Sequence, residues 1–186
     1  MGKVLVVMYS YTGTCRRLSE LLCSQQGWPM GEVTDARPRA GVLGTLRCLL
    51  DSWLRRQPSI RYNGPAPGDF DAVVLVAPIW AGQLAGPMRS FVASRRDSLP
   101  KVAVVPVMGG SGAPNVIAEI SASIDRAPVQ CAAFTTREVV DGSCAARLLA
   151  FGDSVQEATD SAAVTRPIVW SSQLAAAGDE PQAVRQ

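Results

Sequence analysis

Short apolar runs alternate along this chain with segments in which apolar residues recur every three or four positions. Four apolar runs have the length of a strand, 3–8, 72–77, 102–108 and 129–134, and the short stretch 31–35 is a candidate for a further strand, the second along the chain. Five segments have helical spacing: 15–24, 41–56, 86–93, 115–124 and 141–157. Because strands and helices alternate, the pattern predicts βαβ crossovers and one α/β domain, with a doubly wound, five-stranded parallel sheet covered by helices on both faces.

The ends of several elements also have sequence signals. Pro78 is expected to end the third strand, and Asp141 or Ser143 is the candidate N-cap of the last helix. The apolar pattern ends near residue 160, which predicts a domain at 1–160 and a flexible tail at 161–186. The apolar cluster at 168–170 interrupts this tail and has two interpretations: it docks on the domain, or it docks on a neighbouring subunit of a homo-oligomer.

Composition limits the chemistry that the chain can perform. The 186 residues carry a net charge of +2, include five cysteines without C-x-x-C spacing, and contain no histidine. Without histidine there is no Ser-His-Asp triad, Cys-His pair or histidine zinc ligand, so a bound redox cofactor would have to supply any such chemistry. We expect a reduced, cytoplasmic protein with no membrane span. We expect no nucleic-acid binding either, because no dense basic stripe with interleaved aromatic residues is present.

The turn after the first strand has the composition of a phosphate-binding loop. Ser10, Thr12 and Thr14 carry hydroxyl groups, and Gly13 lets the backbone approach a ligand, so that a branched side chain there would fill the cradle. The unpaired N–H groups that begin the next helix are expected to point at the same place.

Two further loops follow strands in the same way. They lie at 78–82 and 109–112, after the third and fourth strands. In a sheet ordered 2-1-3-4-5, strands 1, 3 and 4 are neighbours, so their carboxyl-end loops meet at one edge, where α/β sheets bind ligands. The sequence therefore predicts a site for a flat ligand with a phosphate tail.

These segments together resemble the flavodoxin superfamily over about residues 1–160. The first loop is similar to the family's Ser-x-Thr-Gly-Asn-Thr loop, with Thr14 and Cys15 departing from it. APIWAGQLAGPMRSFV, VMGGSG and DGSCAARLLAF, beginning at Ala77, Val107 and Asp141, resemble the second flavin loop, the third flavin loop and the closing helix of short members. The resemblance implies a flavodoxin-like fold and flavin mononucleotide (FMN) as cofactor.

Transferred to this chain, the resemblance implies a three-loop cofactor site. Its phosphate loop would be Ser10, Tyr11, Thr12, Gly13, Thr14 and Cys15. Its flavin-ring loops would be Pro78, Ile79, Trp80, Ala81 and Gly82, followed by Gly109, Gly110, Ser111 and Gly112. Trp80 would lie near the isoalloxazine ring; the alternative is that Trp80 caps the sheet edge and that these glycines only form turns.

The cysteines leave two questions about reactivity. Cys15, at the start of a helix, is either packed beside the loop or a reactive thiol of lowered pKa. Cys131 and Arg137 have the C-x5-R spacing of cysteine phosphatases, but the residues after Cys131 have the pattern of a buried strand, so we interpret the spacing as coincidence.

Two functions follow from the resemblance. The first is an FMN-binding flavoprotein that transfers electrons from a nicotinamide nucleotide or a reductase to an unidentified small or protein acceptor. Because 78–88 contains no Asp or Glu, no strong negative charge in this loop would disfavour an anionic reduced flavin. The alternative is a non-catalytic flavodoxin-like module that binds a protein partner without flavin, favoured by Cys15 and by the apolar cluster at 168–170.

Overall fold

A computed structural model describes residues 2–36, 54 and 56–161. The helix predicted for 41–56 lies outside this part of the chain except for Leu54 and Arg56. The tail predicted for 161–186 lies outside it except for Ser161.

A single sheet of eight strands forms the centre of the described chain. Its strands are β1 Val4–Tyr9, β2 Met30–Asp35, β3 Ile60–Asn63, β4 Ala72–Trp80, β5 Gln83–Leu84, β6 Lys101–Met108, β7 Gln130–Cys131 and β8 Phe134–Thr135. The main order is β3-β2-β1-β4-β6-β7, with β8 also paired to β6. The pairs β2-β1, β1-β4, β4-β6, β6-β7 and β6-β8 are all parallel. The predicted order 2-1-3-4-5 is therefore confirmed for the parallel strands, but the predicted count of five strands is wrong. The sheet of the described residues has eight, because β3 adds an antiparallel edge strand next to β2, β5 pairs antiparallel with β4, and both β7 and β8 form where one strand was predicted.

Helices cover both faces of the sheet. They are α1 Thr14–Gln26, α2 Gly86–Arg95, α3 Ala113–Ile124, α4 Thr136–Asp141 and α5 Ala145–Asp160. Alternate residues of the central strands point to opposite faces, so the core has two halves. Leu5 and Val7 pack in the half formed with α2 and α3, whereas Val4, Val6 and Met8 pack in the half formed with α1 and α5. No helix of the described residues is long and apolar enough to cross a membrane.

The prediction that Pro78 ends its strand is wrong, because β4 continues to Trp80. The pairing of β4 with β1 ends at Val76, whereas Pro78 still lies opposite Val107 of β6. A proline without an N–H group is tolerated here because the β1 side of the ladder has already ended.

The last strand and the closing helix also differ from prediction. The run at 129–134 forms two short strands, β7 and β8, and the helix predicted for 141–157 forms two helices, α4 and α5. Asp141 is not an N-cap: its carboxylate accepts hydrogen bonds from the N–H and hydroxyl of Ser143 at 2.9 and 2.7 Å. Helix α5 instead begins after Cys144, which provides no side-chain cap.

Candidate functional site

The carboxyl ends of β1, β4, β6 and β8 surround one cavity of about 360 Å³. It is lined by Ser10, Tyr11, Thr12, Thr14, Cys15, Pro78, Ile79, Trp80, Val107, Gly109 and Thr136. The three loops predicted from the sequence thus lie together at one edge of the sheet, as neighbouring parallel strands require.

The first loop is a tight turn that exposes the start of α1. Gly13 is the N-cap with φ +89°, and its N–H donates to Ser10 Oγ at 3.1 Å. The Thr12 and Thr14 hydroxyl oxygens are 3.4 Å apart. Helix α1 has no side-chain cap and no acidic residue in its first turn, so its N–H groups and its positive dipole end face the loop.

The backbone conformation at position 13 requires glycine. A Cβ built on Gly13 would meet nothing within 4 Å, so the surrounding protein leaves the space beside this residue open. Its φ of +89° is a left-handed conformation that residues with a side chain rarely adopt, and this conformation starts the helix.

Cys15 is packed in the core beside the loop. Its side chain is 2% exposed and belongs to the core half that contains Leu18 and Val139. Burial raises the pKa of the Cys15 thiol to about 12, so the interpretation as a reactive thiol of lowered pKa is wrong.

The second loop is a β-hairpin. Ile79 and Trp80 of β4 pair with Leu84 and Gln83 of β5. The two turn residues between the strands both have positive φ, +49° at Ala81 and +73° at Gly82, as in a type I′ turn. This turn reverses the chain directly after Trp80 and holds the indole at the cavity.

Three aromatic side chains meet at this hairpin. Trp80 is half-buried and makes edge-to-face contacts with Tyr9 and Tyr11, with ring centroids 5.9 and 5.7 Å apart. The Tyr9 hydroxyl donates to Asp35 Oδ2 at 2.9 Å, which fixes the ring from behind. The indole therefore presents a held apolar surface at the cavity.

The third loop packs directly against the hairpin. A Cβ on Gly112 would lie 2.9 Å from Gly82 Cα and 3.0 Å from Ile79 Cγ2, so only glycine permits this approach. Asn115 Nδ2 donates to the Gly82 carbonyl at 3.4 Å. By contrast, a Cβ on Gly109 or Gly110 would meet nothing within 4 Å, and neither residue has a φ in the left-handed region. Nothing in the described structure requires glycine at these two positions.

Nine of the fifteen residues predicted for the site line the cavity. The other six belong to the turns that shape it: Gly13, Ala81, Gly82, Gly110, Ser111 and Gly112. Val107 and Thr136 also line the cavity, although neither is among the residues predicted for the site. Val107 lies in β6 just before the third loop, and Thr136 directly follows β8, where its hydroxyl donates to the Met108 carbonyl at 3.5 Å.

The cavity has no charged lining among the described residues. Its polar groups are hydroxyls and backbone amides, and the dipole of α1 supplies a partial positive charge at one end. The arrangement can thus bind an anion at the first loop and an aromatic ring at the hairpin.

The C-x5-R spacing does not form an anion-binding loop. Cys131 lies in β7 opposite Val104, and Arg137 lies in α4. Phe134 and Thr135, between them, pair with β6 as β8. Strand pairing therefore occupies part of the backbone that a phosphatase would fold into a loop, and Cys131 does not line the cavity.

No family model matches the chain, and no curated protein matches it. Solved structures do match. A flavoprotein from Lactobacillus acidophilus NCFM, crystallised in complex with FMN, has a TM-score of 0.63 at 19% identity, over 77% of this chain and 99% of that one. A WrbA-like flavodoxin from Agrobacterium tumefaciens has a TM-score of 0.53 at 11% identity, over 85% and 98%. Two-electron reduced flavodoxin from Megasphaera elsdenii has 0.51 at 15% identity, over 82% and 98%. The strand order, the helices on both faces and these matches show that the chain has the flavodoxin-like fold.

Proposed function

We propose that the protein binds FMN in this cavity and transfers electrons through it. The observation that carries the proposal is the pair Gly109 and Gly110, which leave space and bare backbone beside the cavity although the fold does not require glycine there. A ligand that approaches the backbone closely accounts for such residues. The FMN complex of a protein with the same fold supports this choice of ligand.

The first loop fits a phosphate monoester. The uncapped first turn of α1 offers N–H groups with a favourable dipole, and Thr12 and Thr14 add hydroxyl donors at the cavity. Cys15 does not obstruct this end, because its side chain is buried in the core while its backbone N–H belongs to the first turn. Thr136 adds a further hydroxyl to the lining.

The opposite end fits a flavin ring. Trp80 offers an aromatic surface, and aromatic contacts of this kind contribute about 0.5–1.5 kcal/mol beyond burial. The backbone at Gly109 and Gly110 is accessible for hydrogen bonds to the polar edge of the ring.

When bound, FMN accepts a hydride or single electrons. The chain contributes orientation and an uncharged ring-side environment, because 78–88 contains no Asp or Glu and the cavity lining carries no charged side chain among the described residues. Such a site does not strongly oppose an anionic reduced flavin. We propose a nicotinamide nucleotide or a reductase as donor and a small molecule or a protein as acceptor.

Reconstitution tests the cofactor. The protein, purified and mixed with FMN, is expected to quench FMN fluorescence and to keep flavin absorption through gel filtration. FMN at a hundredfold excess over its Kd should add about 2.7 kcal/mol to the free energy of unfolding. Riboflavin should bind more weakly, because it lacks the phosphate. A folded protein that takes up no FMN and gains no stability from it would refute the proposal.

A second measurement separates an enzyme from a carrier. The FMN-loaded protein is mixed with NADPH and a quinone under anaerobic conditions, and nicotinamide absorbance is followed. Oxidation of NADPH without an added reductase identifies an oxidoreductase. If the bound FMN is reduced only when a separate reductase is added, the protein is an electron carrier.

The alternative is a module that binds a protein partner without flavin. Its first argument is Cys15, which stands where the resembled loop has a hydroxyl residue; the Cys15 side chain is buried, but the backbone N–H groups of the first turn and the hydroxyls of Thr12 and Thr14 are still available to a phosphate. Its second argument, the apolar cluster at 168–170, lies outside the described residues.

A further inference from the structure

A buried arginine joins the two helices that lie behind the ring-side loops. Arg89 of α2 is only 6% exposed, and Glu119 of α3 is 11% exposed. Arg89 Nε donates to Glu119 Oε1, and Nη2 donates to Glu119 Oε2 at 3.2 Å. Donation to both carboxylate oxygens fixes the orientation of the guanidinium as well as its position.

The same guanidinium also holds two backbone segments outside these helices. Nη2 donates to the Leu84 carbonyl at 3.0 Å, and Nη1 donates to the Arg56 carbonyl at 3.3 Å. Leu84 belongs to β5, the second strand of the hairpin that carries Trp80. The neighbouring Ser90 hydroxyl donates to the Pro58 carbonyl at 2.7 Å, which strengthens the attachment of the segment leading into β3.

These contacts converge on the geometry of the site. The hairpin places Trp80 at the cavity, and the N-cap of α3 is Gly112, whose backbone packs against Gly82. A charged side chain is costly to bury, and apolar residues of similar size often provide equal stability. What only a guanidinium supplies here is several directed hydrogen bonds from one rigid group.

We propose that Arg89 is a positioning residue for the ring side of the cavity. It does not line the cavity; it holds the hairpin against α3, so that Trp80 and the backbone at Gly109 present one surface to a flat ring. The inference rests on the proposed binding of FMN, because the ring to be positioned is that of the flavin.

The test compares Arg89→Lys with Arg126→Lys. A lysine at position 89 keeps the charge beside Glu119 but loses the fork that reaches Leu84 and Arg56. Arg126 is a matched control, because its guanidinium also donates to backbone carbonyls, those of Leu99 and Pro100, but near the opposite end of α3. All proteins are measured at a temperature at which far-UV circular dichroism shows them fully folded.

Two readouts are expected to change in Arg89→Lys alone. The affinities for FMN and for riboflavin should both fall at least tenfold, and by a similar factor, because both ligands share the ring and only FMN has the phosphate. In the flavin-free protein, amide hydrogen exchange at 79–84 should become at least tenfold faster, as measured by mass spectrometry. If the substitution only lowered overall stability, amide exchange would also become faster in other surface segments that exchange as slowly as this hairpin.

The outcomes separate this inference from the proposed function. If the unmodified protein takes up no FMN, the proposed function fails, and the hydrogen-exchange comparison alone decides on Arg89. The inference is overturned if Arg89→Lys binds both flavins as tightly as the unmodified protein and its amide hydrogen exchange at 79–84 is unchanged. It is also overturned if the variant loses affinity for FMN but not for riboflavin. If Arg89→Lys does not fold, Glu119→Gln replaces it, since the amide keeps one acceptor for the guanidinium. In that variant a threefold or greater loss of affinity for both FMN and riboflavin supports the inference, and the affinity of the unmodified protein overturns it.

Discussion

Replacing Gly109 by alanine is expected to stabilise the protein and to weaken its binding of FMN. A Cβ at this position meets nothing within 4 Å, and the backbone does not adopt a left-handed conformation. An alanine therefore fits without strain and restricts the unfolded chain, which increases the free energy of unfolding by about 0.4–1 kcal/mol. The same methyl group enters the space at the cavity that we assign to the flavin.

The loss of affinity follows from overpacking. Inserting a methyl group into a well-packed contact costs about 1–3 kcal/mol, which corresponds to a roughly 5- to 150-fold higher Kd for FMN. Gly68→Ala is the matched control. Gly68 also lacks a left-handed φ, its Cβ would meet only the Ser98 carbonyl oxygen at 3.6 Å, and it lies away from the cavity.

Two assays are needed on each variant. Urea unfolding without flavin should show both variants at least as stable as the unmodified protein. Titration of FMN followed by fluorescence should show a higher Kd for Gly109→Ala only. If Gly109→Ala binds FMN as tightly as the unmodified protein does, the ligand does not occupy the space beside the Gly109 backbone. The observation that carries the proposed function is then lost.

Three further predictions test other parts of the structure. Gly13→Val should lower the free energy of unfolding by about 1–2 kcal/mol, because the φ of +89° is strained for a branched residue, and it should also reduce the affinity for FMN. A variant whose free energy of unfolding in urea equals that of the unmodified protein would contradict this. Ala81→Asp, compared with the neutral Ala81→Asn, should lower the one-electron potential of bound flavin, because a carboxylate in the turn of the hairpin that carries Trp80 disfavours an anionic reduced flavin; equal potentials in a spectroelectrochemical titration would exclude this effect. Hydrogen bonds from the backbone and hydroxyl of Thr135, with a smaller contribution from the charge of Arg147, lower the pKa of Glu138. The protein should therefore be more stable than Glu138→Gln at neutral pH, and this advantage should vanish as the pH falls through the lowered pKa; a difference in urea midpoint that is the same at pH 7 and pH 3 would contradict the assignment.

Local pattern was sufficient for most of the fold. The central strands β1, β4 and β6 appear in the sequence as apolar runs, because strands buried on both faces need apolar residues at nearly every position. Strand β2, which contains Glu32, Thr34 and Asp35, does not. Pro78 shows where this reasoning fails: whether a proline ends a strand depends on which neighbouring strand still needs its N–H group, and that is a property of the sheet. The division of the last strand and of the closing helix likewise depends on pairing with β6 and on the turn at Asp141.

The alternation of strands and helices is encoded in the local pattern of the chain, and this alternation also predicts the edge at which three loops meet, because parallel strands joined by right-handed crossovers place their carboxyl ends together. Which residues of those loops line the cavity depends on the folded molecule. There Thr136 joins the lining, the Cys15 thiol is buried beside the loop, and Arg89 bonds carbonyls 5 and 33 residues away. Side-chain direction and long-range hydrogen bonding follow from packing between distant segments, and local periodicity does not record them.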